Sequence, residues 1–195
     1  MLSSLDAGFG KKDGERVFTA PSYVKNLLKG PAGLTLAVFV LDQLTKFLVR
    51  YAYDLGHRQE LIPHIFDLVY IRNTGAAWGI ASGNSEMLAV LSVVIVLFIV
   101  WKFDYLTEGV RIRRLALGAV LGGILGNLVD RILLPGVVDF LDLHYGEVFS
   151  WPAFNIADCG ISIGVGVFIV SVLFAGDSET AGKEGITDTE DDGKV

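Results

Sequence analysis

Four long apolar stretches set the terms for this chain, because charged residues sit inside two of them. Leu34–Tyr53 is apolar except for Asp42, Gln43, Thr45, Lys46 and Arg50, and Ile156–Ala175 carries only Asp158. Met87–Trp101 has no charge, and Leu115–Val129 is glycine-rich with a single Asn. A spanning helix needs roughly 17–25 residues. The middle two stretches reach that length by borrowing Asn84–Glu86 and the apolar residues after Arg131. Composition agrees: 52% of residues are hydrophobic, 19% are charged, and mean hydropathy is +0.52. A soluble domain carries about 25% charged residues. The expectation is an all-α membrane protein with four transmembrane helices, at about 33–53, 84–101, 115–134 and 155–175. One domain, 33–175, then lies between an N-terminal segment, 1–32, and an acidic tail, 176–195, expected to be disordered.

Several function classes drop out. A net charge of −6 argues against a nucleic-acid partner, which would call for a basic stripe. The single cysteine, Cys159, leaves no internal disulfide and no multi-cysteine zinc site. His57, His64 and His144 form no HExxH pattern. No metal and no cofactor are expected. The tract before the first apolar run lacks the apolar core and cleavage site of a secretory signal, so it is expected to be retained.

Basic residues near the span ends give an orientation. Lys11, Lys12, Arg16, Lys25 and Lys29 precede the first stretch, and Lys102, Arg111, Arg113 and Arg114 lie between the second and third. The other two connections offer Arg50, Arg58, Arg72 and Arg131. This asymmetry places both termini in the cytoplasm. The connection 102–114 reads as a plain linker. In the first outward loop, Ile65–Ile71 is rich in aromatic and β-branched residues and reads as a strand. A small β-containing element is therefore expected on the extracytoplasmic face.

An ionisable residue inside a span costs roughly 2.5–3.5 kcal/mol on insertion scales and needs a reason. Asp42 and Lys46, four apart, share one helix face and can neutralise each other, with Arg50 extending the stripe. Gly118, Gly122 and Gly126 repeat at the spacing that lets helix backbones approach closely. Asn127, Asp130 and Arg131 follow and can project to one side; taken alone, Asp130 and Arg131 read as an ion-paired helix terminus. Asp139 sits among apolar neighbours and by itself is as much a turn or cap residue as a catalyst, while Asp142 follows in loop-like surroundings. Asn155 can cap the last apolar helix, with Asp158 in its first turn.

The combination says more than its parts. Asp139 and Asp158 approach the same interface from the ends of neighbouring spans. Two carboxylates in a partly desolvated cleft do not both ionise easily, so the pair retains one shared proton. Such a pair activates water with its ionised member and protonates a carbonyl or leaving amine with the other. Asn73, Asn127, Arg131 and Asn155 supply donors around it.

These motifs together resemble the lipoprotein signal peptidase (type II signal peptidase) family over about Leu34–Phe174. Asp42-Gln43-Leu44-Thr45-Lys46 is similar to the family's DQxxK, and Asn73–Gly79 to its NxGAAF. Gly122–Arg131 matches GGxxGNxxDR, Val138-Asp139-Phe140 matches VDF, and Phe154–Asp158 matches FNxAD. The resemblance implies a four-span aspartyl endopeptidase of the bacterial inner membrane, with its active site near the outer leaflet. It would cut diacylglyceryl-modified prolipoproteins just before the lipidated cysteine. It further implies Asp139 and Asp158 as the catalytic pair and Asn73, Asn127, Asp130, Arg131 and Asn155 as supporting residues. Asp42 and Lys46 would be structural or substrate-proximal, and the chain is expected to act as a monomer in membrane lipid. Trp78 stands where the family usually has phenylalanine, and both terminal segments lie outside the family core. The competing reading is a small carrier using Asp42, Lys46 and Asp158 as a proton relay. It calls for polar groups spread through the membrane depth, whereas here they gather towards one end.

Overall fold

The computed structural model describes residues 9–12, 15–18, 30–75, 83–146 and 148–184. Among the described residues, five helices follow one another: α1 (Pro31–Ala52), α2 (Ser85–Trp101), α3 (Phe103–Thr107), α4 (Arg111–Leu133) and α5 (Ile156–Glu184). Three are long and apolar enough to cross a membrane: α1, α4 and the Ile156–Phe174 part of α5. α2, at 17 residues, is shorter.

Which side chains are buried identifies the solvent these helices are built for. On α1 the buried residues are Gly33, Asp42, Lys46 and Val49, while Leu36, Val40, Leu44, Phe47 and Leu48 are exposed. A helix in water buries its apolar stripe and exposes its charges. Here Asp42 and Lys46 lie inside and most of the hydrocarbon faces outward, which is stable only where the surroundings are apolar too. α2 likewise turns its apolar side chains outward, with Ile99 as its single buried residue. α4 is the central helix, packed by α1, α2 and α5.

Glycines let these helices meet. A methyl group added at Gly118 or Gly122 would lie 2.6 Å from the backbone carbonyl oxygen of Pro31 or Thr35 on α1. Gly126 backs directly onto the Asp42 carboxylate, and Gly123 onto the Ala157 carbonyl of α5. The expected glycine stripe is thus the α1–α4 contact. The α4–α5 contact uses a second set, Gly123 with Gly160 and Gly164, that the spacing-four pattern did not single out.

Two small sheets accompany the helices. β1 (Phe9–Lys12) and β2 (Glu15–Phe18) form a hairpin in the N-terminal segment, which carried no strand expectation. The larger sheet holds β3 (Arg58–Ile62), β4 (Phe66–Asn73), β5 (Val137–Tyr145) and β6 (Phe149–Ser150) in that order, each neighbour antiparallel. The expected strand at 65–71 is β4. Its partner β5 corrects the reading of Asp139 and Asp142 as turn and loop residues, since both lie within a regular strand. Val138 and Phe140 pack with Val49 of α1 and Tyr70 of β4, which fixes the sheet to the end of the bundle.

Three further differences have physical causes. The connection 102–114 is not a plain linker: α3 occupies part of it, and Gly109 and Glu108 turn the chain with positive φ. α4 starts at Arg111, before the apolar run, because Arg113 is buried, pairs with Glu108 and donates to the Ser171 hydroxyl of α5. α5 continues past Gly176 to Glu184, so the first part of the segment expected to be disordered is helical. Residues 185–195 lie outside the described residues, as does the 76–79 part of the Asn73–Gly79 motif.

Backbone contact at Gly123 makes a clear prediction. Gly123→Ala should destabilise the protein by about 1–3 kcal/mol, as overpacking does, and lower Tm in detergent. Gly166→Ala, with nothing within 4 Å of the added methyl, should leave Tm unchanged or raise it slightly.

Candidate active site

At the end of the bundle that carries the sheet, five elements deliver polar side chains to one place. α1 supplies Asp42 and Lys46. Lys46 is almost wholly buried, and its ammonium lies 2.8 Å from Asp42 Oδ2, 3.0 Å from Asp130 Oδ2 and 2.9 Å from Asn127 Oδ1. The expected Asp42–Lys46 pair is present and has gained α4 as a third party. Arg50, expected to extend the stripe, is exposed. Asp130 pairs with Lys46 and not with Arg131, since adjacent residues on a helix point in different directions. Its Oδ2 also accepts the Val138 backbone N–H at 3.0 Å, tying α4 to β5.

α5 begins with a reciprocal cap. Asn155 Oδ1 accepts the backbone N–H of Asp158 at 3.0 Å, and Asp158 Oδ2 accepts that of Asn155 at 3.2 Å. This is the capping-box arrangement, which satisfies two otherwise orphaned donors. Asp42 Oδ1 accepts a third, the Ala157 N–H, at 2.9 Å. The first turn of α5, and with it Asp158, is therefore held by a carboxylate from α1.

β4 and β5 bring the second carboxylate. In their register Asn73 is opposite Val137, so Asp139, two residues further along β5, is its diagonal neighbour on the same face. Asn73 Nδ2 donates to Asp139 Oδ2 at 3.1 Å, and Asn155 Nδ2 donates to Asp139 Oδ1 at 2.7 Å. Asn127 Nδ2 donates to Asp158 Oδ1 at 2.8 Å. Arg131 Nη2 makes a long contact, 3.4 Å, with the Gly75 carbonyl. Asp139 and Asp158 both line one cleft of about 80 Å³, with Asn73, Asn127, Arg131 and Trp151 among its other walls. Burial, and then the charge of Asp158, push the Asp139 carboxyl up to about 7.

The nine residues that the resemblance implied for the site thus belong to one connected network. Sequence reasoning missed Gln43, whose amide donates to the Gly126 carbonyl at 3.0 Å and to Asp42 Oδ2 at 3.2 Å. Its signal was present, as an uncharged polar side chain within a span. The backbone donors Val138 and Ala157 left no signal, because every residue but proline carries an N–H.

Asp142 has a different role. An odd separation along β5 points it away from Asp139. There Asp67 of β4 stands directly opposite it, a like-charge pair that Arg58 bridges by contacting Asp67 and, at 2.7 Å, Asp142 Oδ2. Asp67, Asp142 and His144 form the one group of metal-ligand type among the described residues. Arg58 already contacts both carboxylates of that group. A roomier groove, about 490 Å³, lies towards the opposite end of the bundle among Pro31, Leu36, Phe39, Val100 and Phe103, and no ionisable side chain lines it.

The raised Asp139 carboxyl carries a signature in stability. A group whose folded pKa lies above its unfolded value of 3.8 stabilises the fold at low pH and loses that contribution as pH climbs to about 7. Tm should therefore fall more steeply between pH 4 and pH 7 in the parent protein than in Asp139→Asn, as thermal denaturation in detergent would show. Above pH 7 the two curves should run parallel.

Fold and site together define a helical membrane protein whose sheet-capped end places two carboxylates against one small cleft. The chain belongs to the signal peptidase II family, whose profile, Signal peptidase (SPase) II, matches residues 34–174. That membership makes it a peptidase. It is 42% identical over 146 residues to the lipoprotein signal peptidase of Shouchella clausii, covering 75% of this chain and 94% of that protein. It is 41% identical over 138 residues to that of Syntrophotalea carbinolica, covering 69% and 84%. Two solved structures described as bacterial membrane enzymes, obtained by the in meso method at 2.3 and 1.9 Å resolution, share the fold. The first superposes with a TM-score of 0.67 at 31% identity, covering 84% of this chain and 94% of that one. The second gives 0.65 at 34%, covering 73% and 92%.

Proposed function

We propose that the chain is an aspartyl endopeptidase of the bacterial inner membrane that removes signal peptides from diacylglyceryl-modified prolipoproteins, cutting just before the lipidated cysteine. Family membership and the names of its relatives support the substrate class. The observation that carries the mechanism is the convergence of Asp139 and Asp158 on one cleft, each holding an amide donor.

In this reading α2 is the fourth span. Its 17 residues cover about 26 Å, against a hydrocarbon core of about 30 Å, and the flanking residues make up the difference. Both termini face the cytoplasm and the sheet end faces outward, as the distribution of Lys and Arg favours. The enzyme works as a monomer, with no metal and no nucleic acid.

The chemistry follows from the two carboxylates being unequal. Near neutral pH Asp139, raised to about 7, keeps a proton and is the acid. Asp158 is the base. It takes a proton from a water in the cleft, and the water oxygen bonds to the scissile carbonyl carbon. Asp139 gives its proton to the carbonyl oxygen as the π electrons move there. The tetrahedral intermediate then collapses: the carbon–nitrogen bond breaks, the amine leaves with the proton held by Asp158, and a hydroxyl proton of the intermediate returns to Asp139. Atoms and charge balance with water as the only co-reactant. Donors fixed in a desolvated cleft stabilise the developing charge without reorganising. The substrate's diacylglyceryl chains, each buried CH₂ worth about 0.8 kcal/mol, hold the cysteine at the depth of the cleft. The signal helix fixes the other side of the bond.

Asp139→Asn and Asp158→Asn should each abolish cleavage of a lipidated prolipoprotein while leaving the protein folded. The double variant should be no worse than either single one, because the pair acts as a unit. Asp142→Asn should keep most of the activity and lose only stability. Complete loss with Asp142→Asn and survival of Asp139→Asn would reverse the assignment. Unlipidated precursor should be cut far more slowly than lipidated precursor, and EDTA or 1,10-phenanthroline should leave turnover intact. Zinc-restorable loss under chelation would end the aspartyl reading.

A further inference from the structure

We propose that Lys46 is a positioning residue that sets the division of labour between the two carboxylates, by fixing which way the Asn127 amide faces. This rests on the dyad reading above and adds to it the question of how each member receives its role.

An amide side chain presents an oxygen on one side and an N–H donor on the other, and the two ends have nearly the same shape. Asn127 stands between Lys46 and Asp158. Turned one way it gives an N–H to Asp158. Turned the other way it aims an oxygen at that carboxylate, which is repulsive unless Asp158 is protonated. Lys46 decides between them. An ammonium has three donors and no acceptor, and Asp42, Asp130 and Asn127 Oδ1 lie at 2.8, 3.0 and 2.9 Å from it. Asn127 must therefore show Lys46 its oxygen, and its N–H is left for Asp158 Oδ1 at 2.8 Å. Reversal would set an NH₂ group against a buried ammonium.

Asn155 is locked by a different means. Its oxygen accepts the backbone N–H of Asp158, a donor that cannot be removed, so its own amide N–H faces Asp139 Oδ1 at 2.7 Å and Asn127 Oδ1 at 3.2 Å. Each carboxylate thus receives an amide donor whose direction is imposed by a group other than that carboxylate. For Asp139 the backbone N–H of Asp158 imposes it, and for Asp158 the Lys46 charge does, with the Asn155 amide as a second donor on the same oxygen. The second is the one that mutation can reach. The charged groups around the pair are Arg131 from α4, whose charge senses both carboxylates, and Lys46 from α1, whose charge reaches Asp139. Asp42 and Asp130 stand behind Lys46, and Cys159 follows Asp158 on its own helix. Of these, Lys46 alone both contacts the Asn127 oxygen and holds a charge that forbids its reversal.

The test is the pH dependence of kcat/KM on a lipidated prolipoprotein in detergent or nanodiscs. Asn127→Asp keeps the size of the side chain and its bond to Lys46, yet shows Asp158 an oxygen in place of an N–H. Its acidic limb should move to higher pH by one unit or more, with at least a tenfold loss of kcat at pH 6. Lys46→Met should move the same limb in the same direction. Should Lys46→Met fail to fold, Asn127→Asp, which retains the ion cluster, decides the matter. A merely structural role would lower the amount of folded enzyme and leave the limb in place, and an unmoved limb in Asn127→Asp would overturn the proposal. Asp139→Asn and Asp158→Asn assayed alongside separate the two claims. Activity in either one overturns the dyad. Two inactive variants with an unmoved limb overturn the positioning role of Lys46 alone.

Discussion

The Lys46 ammonium, buried among helices with Asp42 and Asp130 beside it, is the interaction on which the other parts rest. A buried charge is costly unless it is paired and hydrogen-bonded throughout, and removing one partner leaves another stranded. Each carboxylate that satisfies Lys46 has a second duty with its remaining capacity. Asp42 accepts the Ala157 N–H and so holds the start of α5, while Asp130 accepts the Val138 N–H and so holds β5. The two segments that carry Asp158 and Asp139 are thereby anchored to one cation.

Close approach makes that anchoring possible. Asp42 reaches Ala157 because Gly126 has no side chain to stand in front of its carboxylate, and α5 lies against α4 because Gly123 leaves room for the Ala157 carbonyl. Small residues and buried polar bonds therefore act at the same contact. In an apolar solvent this matters more than in water, because burying hydrocarbon drives nothing when lipid is equally apolar. The exposed leucines and valines of α1 and α2 need no partner within the protein.

Electrostatics at the cleft follow from the same geometry. Lys46 and Arg131 supply two positive charges to four carboxylates, Asp42, Asp130, Asp139 and Asp158. A proton retained on Asp139 lessens the surplus of negative charge, and that carboxyl is the one burial and Asp158 push up to about 7. Asp67 and Asp142 show another answer to the same repulsion in the same sheet. There a half-exposed arginine bridges the pair, so the carboxylates are neutralised by a cation and not by a proton. Arg58 holds strands together; Asp139 and Asp158 face an open cleft.

Legible in the sequence were the class of protein, the helical stretches and most of the polar residues at the site, Gln43 excepted. Apolar runs of membrane length with Asp42, Lys46 and Asp158 inside them leave few alternatives, and spacing of three or four on a helix already pairs Asp42 with Lys46 and Asn155 with Asp158. Such pairings are legible because they are local. Tertiary structure alone decided that Asp130 turns to Lys46 and not to its neighbour Arg131, that Asp142 belongs to Arg58, and that Gly123, Gly160 and Gly164 form a second helix contact. It also decided the direction of every amide in the network, because a side-chain amide takes its orientation from whichever donor or acceptor the fold sets against it. Here those partners lie up to 87 residues away along the chain, and no spacing along the sequence encodes such a distance.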